Sequence, residues 1–174
     1  MEEKFSFKPY IVFTILSVII LLFEGSFLSI IFVGGIIPDL LLIVVVCLAF
    51  LWGEKKAIVL GLICGFLQDL FFGPAIGFFT FAKILSAYFS GVSSREIYKD
   101  QIVGPMLTVF LATFIHEFVV FFLLWLTGWS KFSFFYALDQ VFVPRALYHL
   151  ALTLLIYPLL HRAEKIHFFN FFLR

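Results

Sequence analysis

Six stretches of this chain are apolar for long enough to form helices in lipid, and short polar or glycine-containing segments separate them. The first runs over about 9–32 and is interrupted only by Glu24; Gly34-Gly35 and Pro38 then read as a turn. The second, 38–52, opens with Pro38 in its first turn, where a missing N–H costs nothing. Gly53-Glu54-Lys55-Lys56 reads as a charged loop before the third stretch, 57–72, which ends at Gly73-Pro74. The fourth covers 77–92, and the polar run SSREIYKDQ (93–101) is the loop that follows it. The fifth covers 102–127. After it, GWSKFSFFYALDQVF (128–142) reads as an aromatic-rich loop along a membrane interface. The sixth, 143–160, is expected to bend near Pro158, and a basic, aromatic tail runs from His161 to Arg174. The pattern predicts an all-α membrane protein: a single integral membrane domain over 1–174, built as a six-transmembrane-helix bundle with short loops.

Composition turns that pattern into a solvent assignment. The 174 residues are 63% hydrophobic and 13% charged, with mean hydropathy +1.13. An ordinary soluble domain carries about 25% charged residues, and a chain this apolar could not cover a globule with polar surface. The first run continues past the length of a signal-peptide core and lacks a small-x-small site, so it is expected to remain as an uncleaved span. No basic stripe with interleaved aromatics appears, which argues against nucleic acid as a partner. Cys47 and Cys64 both lie inside apolar runs with no CxxC spacing and read as small core or lipid-facing residues.

Charge sets the orientation. With six spans, one side holds Lys4, Lys8, Lys55, Lys56, Arg95, Lys99, Arg162, Lys165 and Arg174. The other holds only Lys131 and Arg145, and Lys83 lies within a span. Basic residues collect on the cytoplasmic side, so both termini are expected there.

Polar residues within the apolar runs are the candidate chemistry, because lipid tolerates them only when they are paired or inside the bundle. Gly61, Gly65, Asp69 and Gly73 recur every fourth residue and lay a narrow groove along one face of the third span. Gly61 to Gly65 is a GxxxG surface that lets a second helix approach closely. Lys83 on the fourth span stands at a depth similar to that of Asp69, counted from the intervening turn, so an Asp69–Lys83 ion pair is expected. Asp39 follows Pro38 and reads either as a carboxylate offsetting the helix dipole or as a contact for a partner or a basic residue such as Arg145. On the sixth span Arg145, His149, Thr153, Tyr157 and His161 form a polar seam at i+4 spacing, matched on the fifth by Gly104, Thr108, Ala112 and His116. These two spans are expected to face one another, with Glu117 near His149 or Thr153, as a structural polar network or a proton or substrate path.

Catalytic signals are weak. His116-Glu117 resembles the start of HExxH, but position 120 is Val and the second metal ligand is missing. No GxSxG elbow and no phosphate-cradling glycine loop occurs. No enzyme activity, metal or cofactor is expected.

From Ile37 to Gly91 the order of features resembles the MreD family of bacterial rod-shape-determining membrane proteins. The residues that carry it are Pro38-Asp39 at the start of the second span, then Gly61, Gly65, Asp69, Gly73 and Gly77, in IPDLLLIVVV and GLICGFLQDLFFGPAIG. Gln68 stands where Leu is commoner before the acidic residue, and Lys83 lies outside the family pattern. The resemblance implies a fold similar to the substrate-binding subunits of energy-coupling-factor transporters. It also implies a non-enzymatic scaffold of the cell-elongation machinery in the bacterial cytoplasmic membrane, serving cell shape and lateral peptidoglycan synthesis. The implied partners are an MreC-like bitopic protein, the elongation glycosyltransferase and transpeptidase, and the MreB filament. The Gly73–Gly77 turn with Asp39 and Asp69 is the expected outer partner surface, and the Arg95–Lys99 loop its cytoplasmic counterpart. The alternative is a vitamin-binding transporter subunit of that fold, although the first span, TILSVIILLF, lacks the AxxxA-like face common in those subunits.

Overall fold

The computed structural model describes residues 8–28, 37–95 and 101–165. The Gly34-Gly35 turn, the end of the first span up to Phe32, Lys99 and the tail beyond Lys165 lie outside the described residues. Among those described there is no strand. Helix α1 is Lys8–Phe23 and continues into a π-helical turn, Glu24–Leu28; α2 is Leu40–Trp52, α3 Glu54–Phe72, α4 Phe78–Ser93 and α5 Val103–Leu126. The short α6, Phe134–Ala137, passes through a second π-helical turn, Leu138–Phe142, into α7, Val143–Lys165.

Three boundaries differ from expectation, each for a local reason. Gly53 alone reverses the chain between α2 and α3, because its φ of +82° is open to glycine and its N–H caps Ala49 O at 2.9 Å. Glu54, Lys55 and Lys56 are therefore the first turn of α3 and not a loop, and the Glu54 carboxylate pairs with Arg95 at the end of α4. The aromatic segment 128–142 is a loop only in its first part. Ser133 accepts the Tyr136 N–H at 3.3 Å and starts a helix that continues into α7. Phe134 and Phe142 of that segment pack edge-on against Phe121 of α5, which holds it to the bundle. The third difference is Pro158, which sits inside α7, and the helix runs on to Lys165 and not merely to Leu160.

Helix α2 is the axis. Its sequence, LLLIVVVCLAFLW, is apolar all round, and it is buried on nearly every side by α1, α3, α4, α5 and α7. Ser90 of α4 ties to it by donating to Val46 O at 2.7 Å, and Ser86 ties α4 to α5 by donating to Ala112 O at 3.1 Å.

Around that axis, α3 and α4 form the tightest pair. A Cβ on Gly65 would stand 2.5 Å from Thr80 Cα, and one on Gly61 would stand 2.9 Å from Ile84 Cα. At the other end of α4, Gly91 meets the start of α3 just as closely, 2.6 Å from Glu54 Cα. The GxxxG face is thus filled by the neighbouring helix of the same chain and is not open to a partner.

Polarity is distributed inside out. Helix α5 turns Leu107, Leu111, Phe118, Phe122 and Trp125 outward while Thr108, Thr113, His116 and Glu117 are buried. Helix α7 exposes Leu147, Leu154, Leu155 and Leu159 and buries His149 and Thr153. Water would favour the reverse; a hydrocarbon solvent favours this. Among the described residues two helices are by themselves long and apolar enough to cross a bilayer: Val103–Leu126 and the continuous Phe134–Lys165.

Backbone contact at Gly65 leaves no room for even a methyl group. Gly65→Ala is expected to lower stability by about 1–3 kcal/mol, as overpacking does, whereas Leu62→Ala on the exposed face of α3 changes it little. Thermal unfolding of the detergent-solubilised protein checks this; equal midpoints for the two variants would remove the close-packing argument.

Candidate functional site

The polar residues gather where α2 begins, α3 ends and α4 and α7 start. Asp39 is at the centre of this region. One carboxylate oxygen, Oδ1, caps α2 by accepting the Leu42 N–H at 2.6 Å. The other, Oδ2, accepts from Lys83 Nζ at 2.7 Å and from Gln68 Nε2 at 3.0 Å. Its backbone N–H donates to His149 Nε2 at 2.9 Å. That bond makes Nε2 the acceptor, so His149 Nδ1 carries the proton toward Thr113 Oγ1 at 2.8 Å, and Thr113 donates onward to Val109 O. One residue thereby links α2 to α3, α4, α7 and, through His149, α5. Lys83 is fully enclosed and Asp39 nearly so.

The expected Asp69–Lys83 pair is not formed. Lys83 turns to Asp39, while Asp69 caps α4. Asp69 accepts the backbone N–H groups of Gly77 (2.8 Å), Phe79 (2.7 Å) and Thr80 (3.0 Å), and the Thr80 hydroxyl at 2.5 Å. The reason is geometric. Asp69 faces the N-terminus of α4, whose free N–H groups and positive dipole end satisfy a carboxylate without a cation. Gly77, with φ of +109°, makes the turn that aims those groups, and Gly73 closes α3 by donating to Asp69 O. Pro38 precedes the Asp39 cap, as the sequence suggested. Asp39 and Asp69 are both buried, which removes them from the outer partner surface expected of them; of that turn, Pro74 and Ile76 are exposed.

A second ion pair lies beside the first. Glu117 accepts from Arg145 Nη1 at 2.8 Å and stands 3.3 Å from His116 Nδ1. The two spans face one another as expected, but the partner of Glu117 is Arg145 and not His149 or Thr153. Thr153 instead donates back to His149 O at 2.6 Å. Likewise Arg145 pairs with Glu117 and leaves Asp39 to Lys83. The ring of His116 lies flat against Phe79, centroids 5.9 Å apart.

Sequence reasoning underrated three residues. Glu24, noted only as an interruption, is buried and accepts the Leu41 N–H at 2.9 Å, tying the first helix to the start of α2. Gln68, noted as a departure from a pattern, supports Asp39. Thr113 gave no signal among the many small polar residues of apolar runs.

A cavity of about 310 Å³ adjoins the network, lined by Glu24, Gly25, Ile37, Pro38, Asp39, Gln68, Phe72, Phe79, His116 and Arg145. On the far side of Arg145 a second cavity of about 450 Å³ lies between the end of α5 and the α6–α7 segment, walled by Phe121, Phe132, Tyr136 and Phe142. Among the described residues no cluster of His, Cys, Asp and Glu is arranged to hold a metal ion.

A sequence model of the rod shape-determining protein MreD matches residues 5–163. No curated protein and no solved structure matches the chain significantly.

Breaking a buried ion pair from one side costs about 3–5 kcal/mol, chiefly by stranding the other charge. Asp39→Asn is therefore expected to destabilise by that order. Lys83→Met should cost markedly less in the Asp39→Asn background than in the wild type. A double-mutant cycle on unfolding midpoints measures the coupling; additive effects would mean the two groups do not interact.

Proposed function

This chain belongs to the MreD family of rod shape-determining proteins, and we propose that it is a non-enzymatic, six-span scaffold of the cell-elongation machinery in the bacterial cytoplasmic membrane. The observation that carries the reading is the family match over nearly the whole chain. A role in rod shape determination follows from membership itself. The finer reading has both termini in the cytoplasm and an MreC-like membrane protein as the immediate partner. The elongation glycosyltransferase, the transpeptidase and the MreB filament are engaged through it or beside it, in support of lateral peptidoglycan synthesis.

Physical arguments support six spans although two helices are short. At 1.5 Å per residue, the 13 residues of α2 reach only about 20 Å, less than the roughly 30 Å of a hydrocarbon core. Most of α2 is buried by the surrounding helices, however, with only Leu40, Val44 and Trp52 partly exposed. Non-helical backbone at membrane depth is tolerated where protein encloses it. Asp39 satisfies the start of such a helix in place of water.

A scaffold is also the use that best suits the polar groups. Asp39, Lys83, Glu117, Arg145 and His149 are engaged with one another and with helix ends, which fixes how the helices register. Partner helices then have the outward apolar faces to dock on, together with the exposed Pro74 and Ile76 of the turn at one end and the Arg95 region at the other. The family match gives no support to a vitamin-binding transporter subunit.

Topology is tested by thiol labelling in intact cells. Cys47 and Cys64 are buried and serve as a silent background. Lys131→Cys is expected to react with a membrane-impermeant maleimide, and Lys56→Cys only after permeabilisation; the opposite pattern would invert the orientation. For the scaffold, an MreC-like protein is expected to co-purify from native membranes, and its consistent absence under mild solubilisation would sink the reading.

A further inference from the structure

On three helices the outward apolar stripe ends on a basic residue. On α3, Ile58, Leu62 and Phe66 are exposed, and Lys55 stands three residues before Ile58. On α7, Leu155 and Leu159 are exposed, and Arg162 stands three residues after Leu159. On α4, Tyr88 and Val92 are exposed, and Arg95 stands three residues after Val92, in the turn that follows the helix. All three cations lie at one end of the bundle. There Gly91 of α4 meets Glu54 of α3 backbone to backbone, and Leu160 and Ala163 of α7 pack with Leu60 of α3 and Trp52 of α2. Among the described residues the exposed charges at the opposite end are Lys131 and Asp139, one of each sign.

Helix geometry gives these cations a depth. Residues three or four apart share a face, so Lys55 continues its stripe by about 5 Å at 1.5 Å per residue. When acyl chains lie on Ile58, Leu62 and Phe66, lipid phosphates stand at the level of Lys55. Two of the three cations are also accounted for within the chain. Arg95 pairs with Glu54, and Arg162 lies in the last turn of α7, where the helix dipole favours positive charge. Lys55 and its neighbour Lys56 are not. Both are exposed in the first turn of α3, where the dipole disfavours a cation. Among the described residues neither has an ion-pair partner.

We propose that the corner formed by the start of α3 and the end of α4 binds the headgroup of an anionic phospholipid. Its phosphate lies on Lys55 and Lys56, and an acyl chain runs along Ile58 and Leu62. Arg95, held there by Glu54, adds positive charge beside them. An anionic headgroup gains from each lysine at the membrane surface. A lipid fits this corner better than an acidic segment of a soluble protein, because Lys55 continues a lipid-facing stripe and does not belong to a surface beyond the membrane. Position counts for more here than net charge, since residues 96–100, EIYKD, bring one lysine and two carboxylates to the loop after Arg95. This site goes beyond the scaffold reading and needs only the membrane placement, not the orientation.

The test uses the full-length protein in neutral detergent with short-chain phosphatidylglycerol and phosphatidylcholine, followed by native mass spectrometry and thermal unfolding. Phosphatidylcholine is the control, since its quaternary ammonium offsets the phosphate. Phosphatidylglycerol is expected to bind about tenfold more tightly at low ionic strength, with the preference shrinking as salt is raised. Lys55→Gln combined with Lys56→Gln should abolish the preference. Without lipid the same double variant is expected to unfold no earlier than the wild type, because it removes positive charge from the start of a helix. Lys55→Arg combined with Lys56→Arg, and Lys131→Gln at the opposite end, should each keep the preference. Equal binding of the two lipids, a preference that survives the double glutamine variant, or an equal loss in Lys131→Gln would overturn the proposal. So would displacement of the lipid by free glycerophosphate or by a polyglutamate peptide at matching concentration, which would assign the corner to a soluble anion or to an acidic protein segment. No outcome of this experiment depends on whether an MreC-like partner co-purifies, so the two readings fail separately.

Discussion

A carboxylate buried at the start of the central, almost wholly enclosed helix is the constraint on which this bundle depends. Asp39 holds the Leu42 N–H in the first turn of α2, the buried Lys83, the Gln68 amide and, through its own N–H, His149. The last three bonds each fix a different neighbouring helix relative to α2. In a hydrocarbon surround, apolar packing scarcely distinguishes protein from lipid, so side-chain hydrogen bonds and close backbone contact must set the arrangement. Asp39 supplies the first of these at one end of the axis.

Close contact supplies the second. Gly61, Gly65 and Gly91 bring α3 and α4 together until backbone meets backbone. That approach in turn places Asp69 under the N-terminus of α4, where four donors converge on its carboxylate. Lys83, one turn further along α4, is left without an acidic partner on α3 and reaches Asp39 on α2. The glycine row, the Asp69 cap and the Asp39–Lys83 pair are thus consequences of one another. A side chain at Gly65 would disturb all three.

The consequence is a bundle whose polar interior is mostly committed to its own architecture, with apolar faces outward. Buried Gln68 Oε1 and His116 Nε2 are exceptions, each without a hydrogen-bond partner. Membership of the MreD family gives the bundle its place in rod shape determination. The ion pairs explain how a small chain with almost no soluble portion keeps a defined shape to present.

Much of this could be read from the sequence. Long apolar runs located α2 to α5 to within a few residues, because the cost of exposing polar backbone to lipid leaves little alternative to helix. The rule that intramembrane charges face inward singled out Asp39, Asp69, Lys83, Glu117, Arg145 and His149, all of which are buried or partly so. Local chemistry was less legible where no strong signal existed. Glu54 and the lysines after it resembled a loop because charge and loop usually coincide, and Phe134–Phe142 resembled one because aromatics favour interfaces. Which groups pair with which was beyond the sequence altogether. Helical periodicity gives each residue a depth and a face, and by depth Lys83 was matched to Asp69, whereas its partner is Asp39. Choosing between them requires the rotation of each helix about its axis and the order in which helices surround α2. Only tertiary packing decides those, since they depend on glycine contacts between segments and not on any one of them.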